Sequence, residues 1–174
     1  FADMTNLHRL LRRSLYTHRG RDYNEVAAVG ELSAAALLVR RSVYAQIGGL
    51  DPAFFAYYED VDWCKRIGET GGRIYYVPTA RVLHHWQGTS RQVSALAYAA
   101  GQDSLRIYFR KHHGWAAALA VQGMLVAKEL TLLIAAALRR NRQALALHRR
   151  MLRRALSPLS AQATPITVPE QVRP

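Results

Sequence analysis

The sequence has little of several features that often identify a protein class. Its 174 residues include a single cysteine, Cys64, which excludes an internal disulfide and a four-cysteine zinc site. The chain begins with Phe1, and no basic head, apolar run and small-residue cleavage site follow it. We therefore expect a piece of a longer protein. Half of the residues are apolar, which is enough for a packed core.

Acidic residues are scarce, and their distribution is uneven. The chain carries 24 Lys plus Arg against 12 Asp plus Glu, a net charge of +12. Residues 31–90 are neutral, with six groups of each sign, whereas residues 139–174 carry eight basic groups and one acid. A nucleic-acid reader more often spreads its basic groups over the folded face. A basic polyanion- or nucleic-acid-binding module without catalysis stays the alternative interpretation, but no nucleic-acid partner is expected.

Local patterns predict short elements before the aromatic loop at residues 54–58. These are a linker over 1–30 with a short helix at 7–16 and a polar loop at 17–25, a buried strand at 33–39, and a helix at 40–47. The alanines of the strand segment leave a helix open there. Gly48 and Gly49 end the predicted helix, because glycine tolerates the left-handed conformation that follows a helix.

A second helix and two strands are predicted after the aromatic loop. Apolar residues at spacings of three form one helical stripe: Val61, Cys64 and Ile67. This stripe predicts a helix that begins at Glu59 and is ended by the glycine pair at 71–72. Residues 74–77 and 81–86 have the composition of short strands.

Long helices are predicted beyond Ser90. They lie at 93–111, 115–138 and 142–156, and a proline-containing tail at 157–174 is predicted to be disordered. Lys128 and Glu129 divide the second helix into apolar runs of 12 and 9 residues, whereas a spanning helix needs about 20. An apolar helix followed by arginines suits an anionic membrane surface. A core helix with a solvated basic face is the equally good alternative.

Carboxylates concentrate where the helix at residue 59 begins. They are Glu59, Asp60 and Asp62, and Asp51 lies shortly before them. The positive end of the helix dipole and unpaired amides favour the ionised form there. An ionised carboxylate at an exposed helix start can take a proton from a hydroxyl nucleophile. Helix capping is the structural alternative.

Two histidines, His84 and His85, end a predicted strand beside a loop that contains Gly88 and Ser90. Adjacent strand residues point to opposite faces, so at most one imidazole faces Asp60. That imidazole could bind a divalent cation while the loop amides and hydroxyls hold a phosphate. A strand-end histidine satisfied by the backbone is the alternative.

Ordered sequence blocks between residues 33 and 90 resemble the C-terminal half of family 2 glycosyltransferases, in the rhamnosyltransferase-like branch of bacterial cell-envelope synthesis. The blocks are SAAALLVRR at 33–41, IGGLD at 47–51, FF at 54–55, YEDVDWC at 58–64, GG at 71–72, YVP at 76–78 and HxxGxS at 85–90. The resemblance implies an α/β fold, the C-terminal half of a GT-A nucleotide-diphospho-sugar transferase sandwich. It places the acceptor and catalytic half at 31–92. A basic helical extension follows at 93–156, and its composition leaves membrane association open.

The resemblance also implies roles for the polar residues. Asp60 would be the general base, and Glu59 would help to place it. His85, with His84 as the alternative, would help to hold Mg²⁺ or Mn²⁺ against the donor diphosphate. The diphosphate loop residues would be Gly88 and Ser90, and the acceptor-side residues would be Gly49, Asp51 and Trp63. For Trp63, packing is the more favoured interpretation.

The implied reaction is an inverting transfer of a sugar from a nucleoside-diphosphate sugar to a hydroxyl of a lipid-linked or polysaccharide acceptor. The implied location is the cytoplasm, peripheral at the inner face of the bacterial plasma membrane. Two departures from the family pattern stand out: Ala34 replaces a glycine after Ser33, and no Asp-x-Asp precedes Ser33. We therefore expect the donor-binding half to be missing and the isolated chain to have no transferase activity.

Overall fold

A computed structural model describes residues 22–84 and 94–158 of the chain. The elements in chain order are strand β1 (Ala27–Val29), helix α1 (Arg41–Ile47), helix α2 (Glu59–Glu69), strand β2 (Ile74–Tyr76), helix α3 (Ser94–Leu138) and helix α4 (Arg142–Ala155). The described part is thus a mixed α and β structure in which helix predominates. The predicted helix at 7–16 and nearly all of the predicted disordered tail lie outside these residues.

The two strands form an antiparallel sheet in which Ala27 lies opposite Tyr76 and Val29 opposite Ile74. β2 confirms the strand predicted at 74–77. β1 lies within the segment predicted as a linker, because three small apolar residues give no period and the pairing with β2 is not readable locally. The strand predicted at 81–86 is wrong for its described residues, 81–84, which are exposed and have no partner strand in the described part of the chain.

The buried strand predicted at 33–39 is also wrong. Ala34–Ala36 form a single 3-10 turn with no buried residue, and Leu38 is fully exposed. The Ser33 hydroxyl accepts a hydrogen bond from the Ala35 amide at 3.3 Å. A capping serine before small residues with high helix propensity favours a tight turn over an extended chain.

Glycines end α1 and α2, as predicted. Gly48 follows α1 with a φ of 74°, and Gly71 follows α2 with a φ of 80°. A Cβ at Gly72 would lie 2.7 Å from the Ile67 Cγ2 atom and 2.8 Å from the Ile67 carbonyl oxygen. Only glycine therefore lets the chain fold back over the end of α2 towards β2.

The long helices are confirmed. α3 consists of two segments, 94–113 and 115–138, which meet at Gly114 with φ 81° and ψ −178°. α4 begins after Asn141, whose side chain accepts a hydrogen bond from the Ala144 amide at 3.0 Å. Val121, Leu125 and Ala155 form the buried core between the two helices, and Leu105, Phe109 and Val126 pack against it.

The first segment of α3 also supports the aromatic loop that precedes α2. The Ser104 hydroxyl donates to the Ala56 carbonyl oxygen at 2.7 Å, and the rings of Tyr58 and Tyr108 lie 5.4 Å apart. This contact places the start of α2, and with it the carboxylate cluster, against the helical part of the molecule.

Candidate active site

Asp60 lies in the first turn of α2 and faces the 3-10 turn. Its Oδ1 accepts from the Val61 amide at 2.9 Å, and its Oδ2 accepts from the Ala34 amide at 3.2 Å. Within the described residues no Lys, Arg or His lies at ion-pair distance from this carboxylate. Neutral amides therefore fix its orientation, and no described cation neutralises its charge.

Glu59 precedes Asp60 and is partly buried. Its Oε2 atom is buried and has no hydrogen-bond partner among the described residues. Burial raises the pKa of Glu59, and the negative charge of Asp60 adds to this rise, although a hydrogen bond from its own amide opposes it. Glu59 is consequently the member of the pair that holds a proton to higher pH than an ordinary glutamate.

Asp62, one turn further, has the opposite environment. Its side chain is fully buried and carries the partners Arg66 Nε at 2.8 Å, Lys111 Nζ at 2.6 Å and His112 Nε2 at 2.7 Å. Burial alone raises the pKa of Asp62, but the hydrogen bonds from Lys111, His112 and Arg66 outweigh it and hold the pKa below its usual value. Asp62 is thus a paired structural carboxylate.

Lys111 joins two of the carboxylates. Its Nζ lies 2.6 Å from Asp51 Oδ2 and 2.6 Å from Asp62 Oδ1. Burial raises the pKa of Asp51, but the hydrogen bonds from Lys111 and from the Ala53 amide outweigh it and lower the pKa overall. The turn at Asp51 and the start of α2 are therefore held to α3 by one ammonium group.

A shallow pocket of about 330 Å³ opens beside this turn. It is lined by Ile47, Gly48, Gly49, Leu50, Asp51, Pro52, Arg66 and Lys111. The Arg66 guanidinium donates to the carbonyl oxygens of Ile47 and Gly49, at 2.7 Å each. Two of the predicted acceptor-side residues, Gly49 and Asp51, thus meet in one pocket whose backbone is fixed by Arg66.

Trp63 supports the glycine turn from outside the pocket. Its indole Nε1 donates to the Gly48 carbonyl oxygen at 2.9 Å, and its ring stands edge-on to Tyr44 with centroids 6.5 Å apart. These contacts agree with the packing interpretation of Trp63.

Two successive tyrosines before the carboxylates have strained backbones. Tyr57 and Tyr58 have φ values of 66° and 65°, in the left-handed region that residues with a Cβ rarely adopt. Such conformations cost about 1–3 kcal/mol each and persist where the surrounding packing imposes them. Here the left-handed backbone of the two tyrosines turns the chain so that α2 begins with Glu59 and Asp60.

Most of the predicted cation and diphosphate residues lie outside the part of the chain that the structure describes. His84 is exposed, and His85, Gly88 and Ser90 lie outside the described residues. Within 22–84 and 94–158, no group of three His, Cys, Asp or Glu side chains could hold a metal ion. The described residues therefore do not form a Mg²⁺ or Mn²⁺ site by themselves, and the cation stays a prediction.

Sequence reasoning missed three partners of the site, namely Arg66, Lys111 and His112. Arg66 lies four residues after Asp62 on one helix, a spacing that permits an ion pair and could have been read. Lys111 and His112 follow Asp62 by 49 and 50 residues, and no local pattern marks them as its partners.

Comparison with known proteins finds partial sequence similarity to rhamnosyltransferases. An 88-residue stretch, 50% of this chain, is 44% identical to N-acetylglucosaminyl-diphospho-decaprenol L-rhamnosyltransferase of Mycobacterium tuberculosis, in strains CDC 1551 / Oshkosh and ATCC 25618 / H37Rv. A 62-residue stretch, 36% of this chain, is 34% identical to rhamnosyltransferase WbbL of Escherichia coli strain K12.

The aligned stretches span only 29% and 24% of the lengths of these relatives. No protein-family model and no solved structure matches the chain. The resemblance to rhamnosyltransferases is confirmed over half of the chain.

Proposed function

We propose that this chain supplies the acceptor half of an inverting GT-A glycosyltransferase that transfers L-rhamnose from a nucleoside-diphosphate sugar to a hydroxyl of a polyprenyl-diphosphate-linked sugar. The names of the relatives support the sugar and the lipid-linked acceptor. The observation that carries the proposal is the contrast between two neighbouring carboxylates. Asp62 is buried against Arg66, Lys111 and His112, whereas no Lys, Arg or His among the described residues lies at ion-pair distance from Asp60.

Asp60 is the general base in this proposal. The acceptor O–H bond breaks and its proton passes to an Asp60 carboxylate oxygen, while the acceptor oxygen forms a bond to the anomeric carbon of the donor. The nucleoside diphosphate leaves from the opposite face with the electron pair of the broken bond, so the configuration inverts. The amides of Val61 and Ala34 each occupy one lone pair of Asp60, which leaves further lone pairs free to accept the proton.

The pocket beside Asp51 is the proposed acceptor side. Asp51 accepts hydrogen bonds from Lys111 and from the Ala53 amide, and a carboxylate has room for a further donor such as a sugar hydroxyl. Gly49 lines the pocket, and Trp63 fixes the adjoining backbone. A divalent cation near His85 and a diphosphate loop at Gly88 and Ser90 are further parts of the proposal.

Exposed apolar side chains support the idea of a half that packs against another half. Between residues 22 and 84 they include Val26, Leu38, Tyr75, Val82 and Leu83, which are between 48% and 100% exposed. A donor-binding half would cover such side chains.

The test of the base uses Asp60→Asn in the longer protein that contains both halves. We expect kcat to fall by about 10²–10⁴-fold, the usual contribution of a general base, with the affinity for nucleoside-diphosphate rhamnose unchanged. Glu69→Gln is the matched control, because Glu69 is an exposed carboxylate at the other end of α2. Transfer that persists at the wild-type rate in Asp60→Asn rejects the base assignment.

The 174-residue chain by itself provides a second test. We expect no release of nucleoside diphosphate and no rhamnosylated acceptor, with or without Mg²⁺ or Mn²⁺. Turnover by the chain alone would contradict the proposal that the donor-binding half is supplied by other residues.

A further inference from the structure

The second segment of α3, residues 115–138, has an outer face without a charged residue. Besides Trp115 at its first position, its large exposed apolar side chains are Leu119, Met124, Leu130, Ile134 and Leu138, with exposures from 43% to 81%. We call these five residues the apolar stripe. At 3.6 residues per turn they fall within an arc of about 140° along a helix about 36 Å long. The hydroxyl of Thr131, on the same face, already donates to the Ala127 carbonyl oxygen at 2.9 Å.

The two charged residues of this segment are turned away from the apolar stripe. Glu129 is fully buried and accepts hydrogen bonds from Tyr98 and Gln102, both at 2.6 Å. Its other oxygen lies 2.8 Å from His148 Nδ1 of α4. Lys128 is mostly buried and lies over the Tyr98 ring at 4.7 Å. The charges that interrupt the apolar sequence therefore do not interrupt the apolar surface.

Exposed arginines adjoin the apolar stripe. They are Arg139, Arg140, Arg142, Arg149, Arg150 and Arg153. No Asp or Glu lies between residues 130 and 158, so no local acid compensates them. A long apolar face next to a purely basic surface is complementary to a bilayer with anionic headgroups, which offers hydrocarbon and negative charge in adjacent layers.

We propose that the apolar stripe docks onto an anionic membrane surface, with α3 lying in the plane of the bilayer and the arginines of α4 on the headgroups. By length and composition alone, α3 contains a stretch that could cross a membrane, and 22% of that stretch is buried in the protein. α4, however, packs along the same segment through Ala155 and His148. A crossing would carry the α4 arginines towards the hydrocarbon, where arginine is among the least tolerated residues.

The docking proposal is independent of the transfer reaction. It predicts at least tenfold tighter binding of the chain to vesicles of phosphatidylglycerol and phosphatidylcholine than to vesicles of phosphatidylcholine alone, measured by co-sedimentation. The double variant Leu119→Glu, Ile134→Glu tests the stripe, and binding should fall at least tenfold. Both positions are exposed, so thermal melts followed by circular dichroism should show the wild-type fold.

Matched control variants show whether a loss of vesicle binding is specific to the apolar stripe and the α4 arginines, or follows from any exposed leucine or any change in net charge. The double variant Leu38→Glu, Leu83→Glu places the same two acids at leucines that are 100% and 84% exposed and lie far along the chain from the stripe, and vesicle binding should stay unchanged. The triple variant Arg149→Gln, Arg150→Gln, Arg153→Gln should lower binding to the level seen with neutral vesicles. The triple variant Arg40→Gln, Arg41→Gln, Arg73→Gln removes the same charge from other exposed positions and should keep most of the binding.

Several results would overturn the proposal. Binding that survives Leu119→Glu, Ile134→Glu, or that is equal on neutral and anionic vesicles, rules out this surface or its charge complementarity. If the chain does not bind vesicles but forms a dimer, and the same double variant is monomeric, a second copy of the chain covers the apolar stripe instead.

Depth measurements distinguish docking from crossing. The single variants Leu119→Cys and Ile134→Cys place thiols about 22 Å apart along the helix, and each thiol can carry an environment-sensitive fluorophore. Cys64 is buried and shielded from the labelling reagent. Quenching by lipids labelled at different depths should give the same shallow depth at both positions. Depths that differ by most of that spacing would mean a crossing helix and would overturn the in-plane arrangement.

Discussion

Residues 22–84, the site region, and residues 94–158, the helical region, are stabilised in different ways. The site region buries three apolar side chains, Phe54, Cys64 and Ile67, whereas the helical region buries nine. Much of what orders the site region is polar, such as the Arg66 contacts to the glycine turn and the network around Asp62. The helical region rests on a continuous apolar core around Leu125.

The difference teaches that the site depends on the helices more than the helices depend on the site. Lys111, His112 and Ser104 all come from α3 and reach Asp51, Asp62 and Ala56 of the site region. The core residues of α3 and α4 touch one another instead. Removing a site contact should therefore disturb one region, whereas removing a core contact should disturb both.

The largest effect is expected for Asp62→Ala. This change leaves the charges of Arg66 and Lys111, and the imidazole of His112, around a buried space. Breaking a buried ion pair on one side costs about 3–5 kcal/mol. The free energy of unfolding should fall by that amount in a denaturant titration. Hydrogen exchange should show lost protection in α2 and retained protection in residues 115–138.

The control for Asp62→Ala is Glu69→Ala, on the same helix. Glu69 is 53% exposed in its side chain and pairs with Lys65, and exposed pairs contribute about 0–1 kcal/mol. Equal losses for the two variants, or loss of protection throughout both regions with Asp62→Ala, would contradict the one-sided dependence.

Leu125→Ala tests the other side of the comparison. Leu125 is 5% exposed in the core, and deleting such a side chain costs about 2–5 kcal/mol through lost burial and the cavity left behind. Hydrogen exchange should become faster in both regions, because α3 carries the site contacts. Leu138→Ala is the control, since Leu138 is 81% exposed and should change the stability little. Exchange that accelerates in the helical region alone would contradict the dependence.

The helices were predictable from sequence because their signals are local. The spacing of Val61, Cys64 and Ile67 and the glycines that follow them mark α2 without help from tertiary contacts. The strand predicted at 33–39 was wrong because the apolar composition of this segment suggests burial, whereas the Ser33 cap and three alanines favour a turn. β1 was missed because three residues become a strand here only by pairing with β2.

The site was predictable only as far as its residues lie close in sequence. Glu59, Asp60 and Asp62 form one cluster, and the contrast between a paired Asp62 and a more open Asp60 follows from the environments that the fold provides. Lys111 and His112 could not be assigned, because the turn of the chain that brings α3 against α2 is a tertiary event. Gly49 and Asp51 were assigned to the acceptor side only through the family resemblance, and the pocket that they line was not predicted.

The pH dependence of stability gives a smaller effect, because protonation leaves the Asp62 side chain in place. Its pKa is held below the ordinary value of 3.8, so its stabilisation is complete above that pH and is lost as the pH falls through the folded-state pKa. The contribution of Glu59 to stability has the opposite dependence on pH. Its raised pKa stabilises the fold below pH 4.5, and this contribution is lost as the pH rises through its folded-state pKa.

Lys111→Met tests how the unfolding free energy falls as the pH becomes acidic. Without the ammonium group the pKa values of Asp51 and Asp62 should return towards their ordinary values. The unfolding free energy should then fall less between about pH 5 and about pH 3 than it does in the wild type. Lys65→Met removes a lysine that pairs with Glu69 instead and should keep the wild-type slope. Identical slopes in all three proteins would mean that Lys111 does not hold these carboxylates ionised.

The smallest effects concern a matched pair of glycines, one in each region. Gly48 has φ 74° and ψ −174°, and Gly114 has φ 81° and ψ −178°, a combination that is essentially limited to glycine. Alanine meets no atom within 4 Å at either site, so backbone strain of about 1–3 kcal/mol is the whole expected cost. Gly123→Ala, in the interior of α3, should instead stabilise by about 0.5–1 kcal/mol.

The two glycine variants should also differ in which region loses protection from hydrogen exchange. Because the Gly48 carbonyl oxygen accepts the Trp63 hydrogen bond and Gly48 lines the Asp51 pocket, Gly48→Ala should make hydrogen exchange faster in α2. Gly114→Ala should act on both regions, since it lies between the part of α3 that reaches the site and the part that forms the core. Equal exchange patterns in the two alanine variants would show that the regions respond as one unit and would remove the distinction between them.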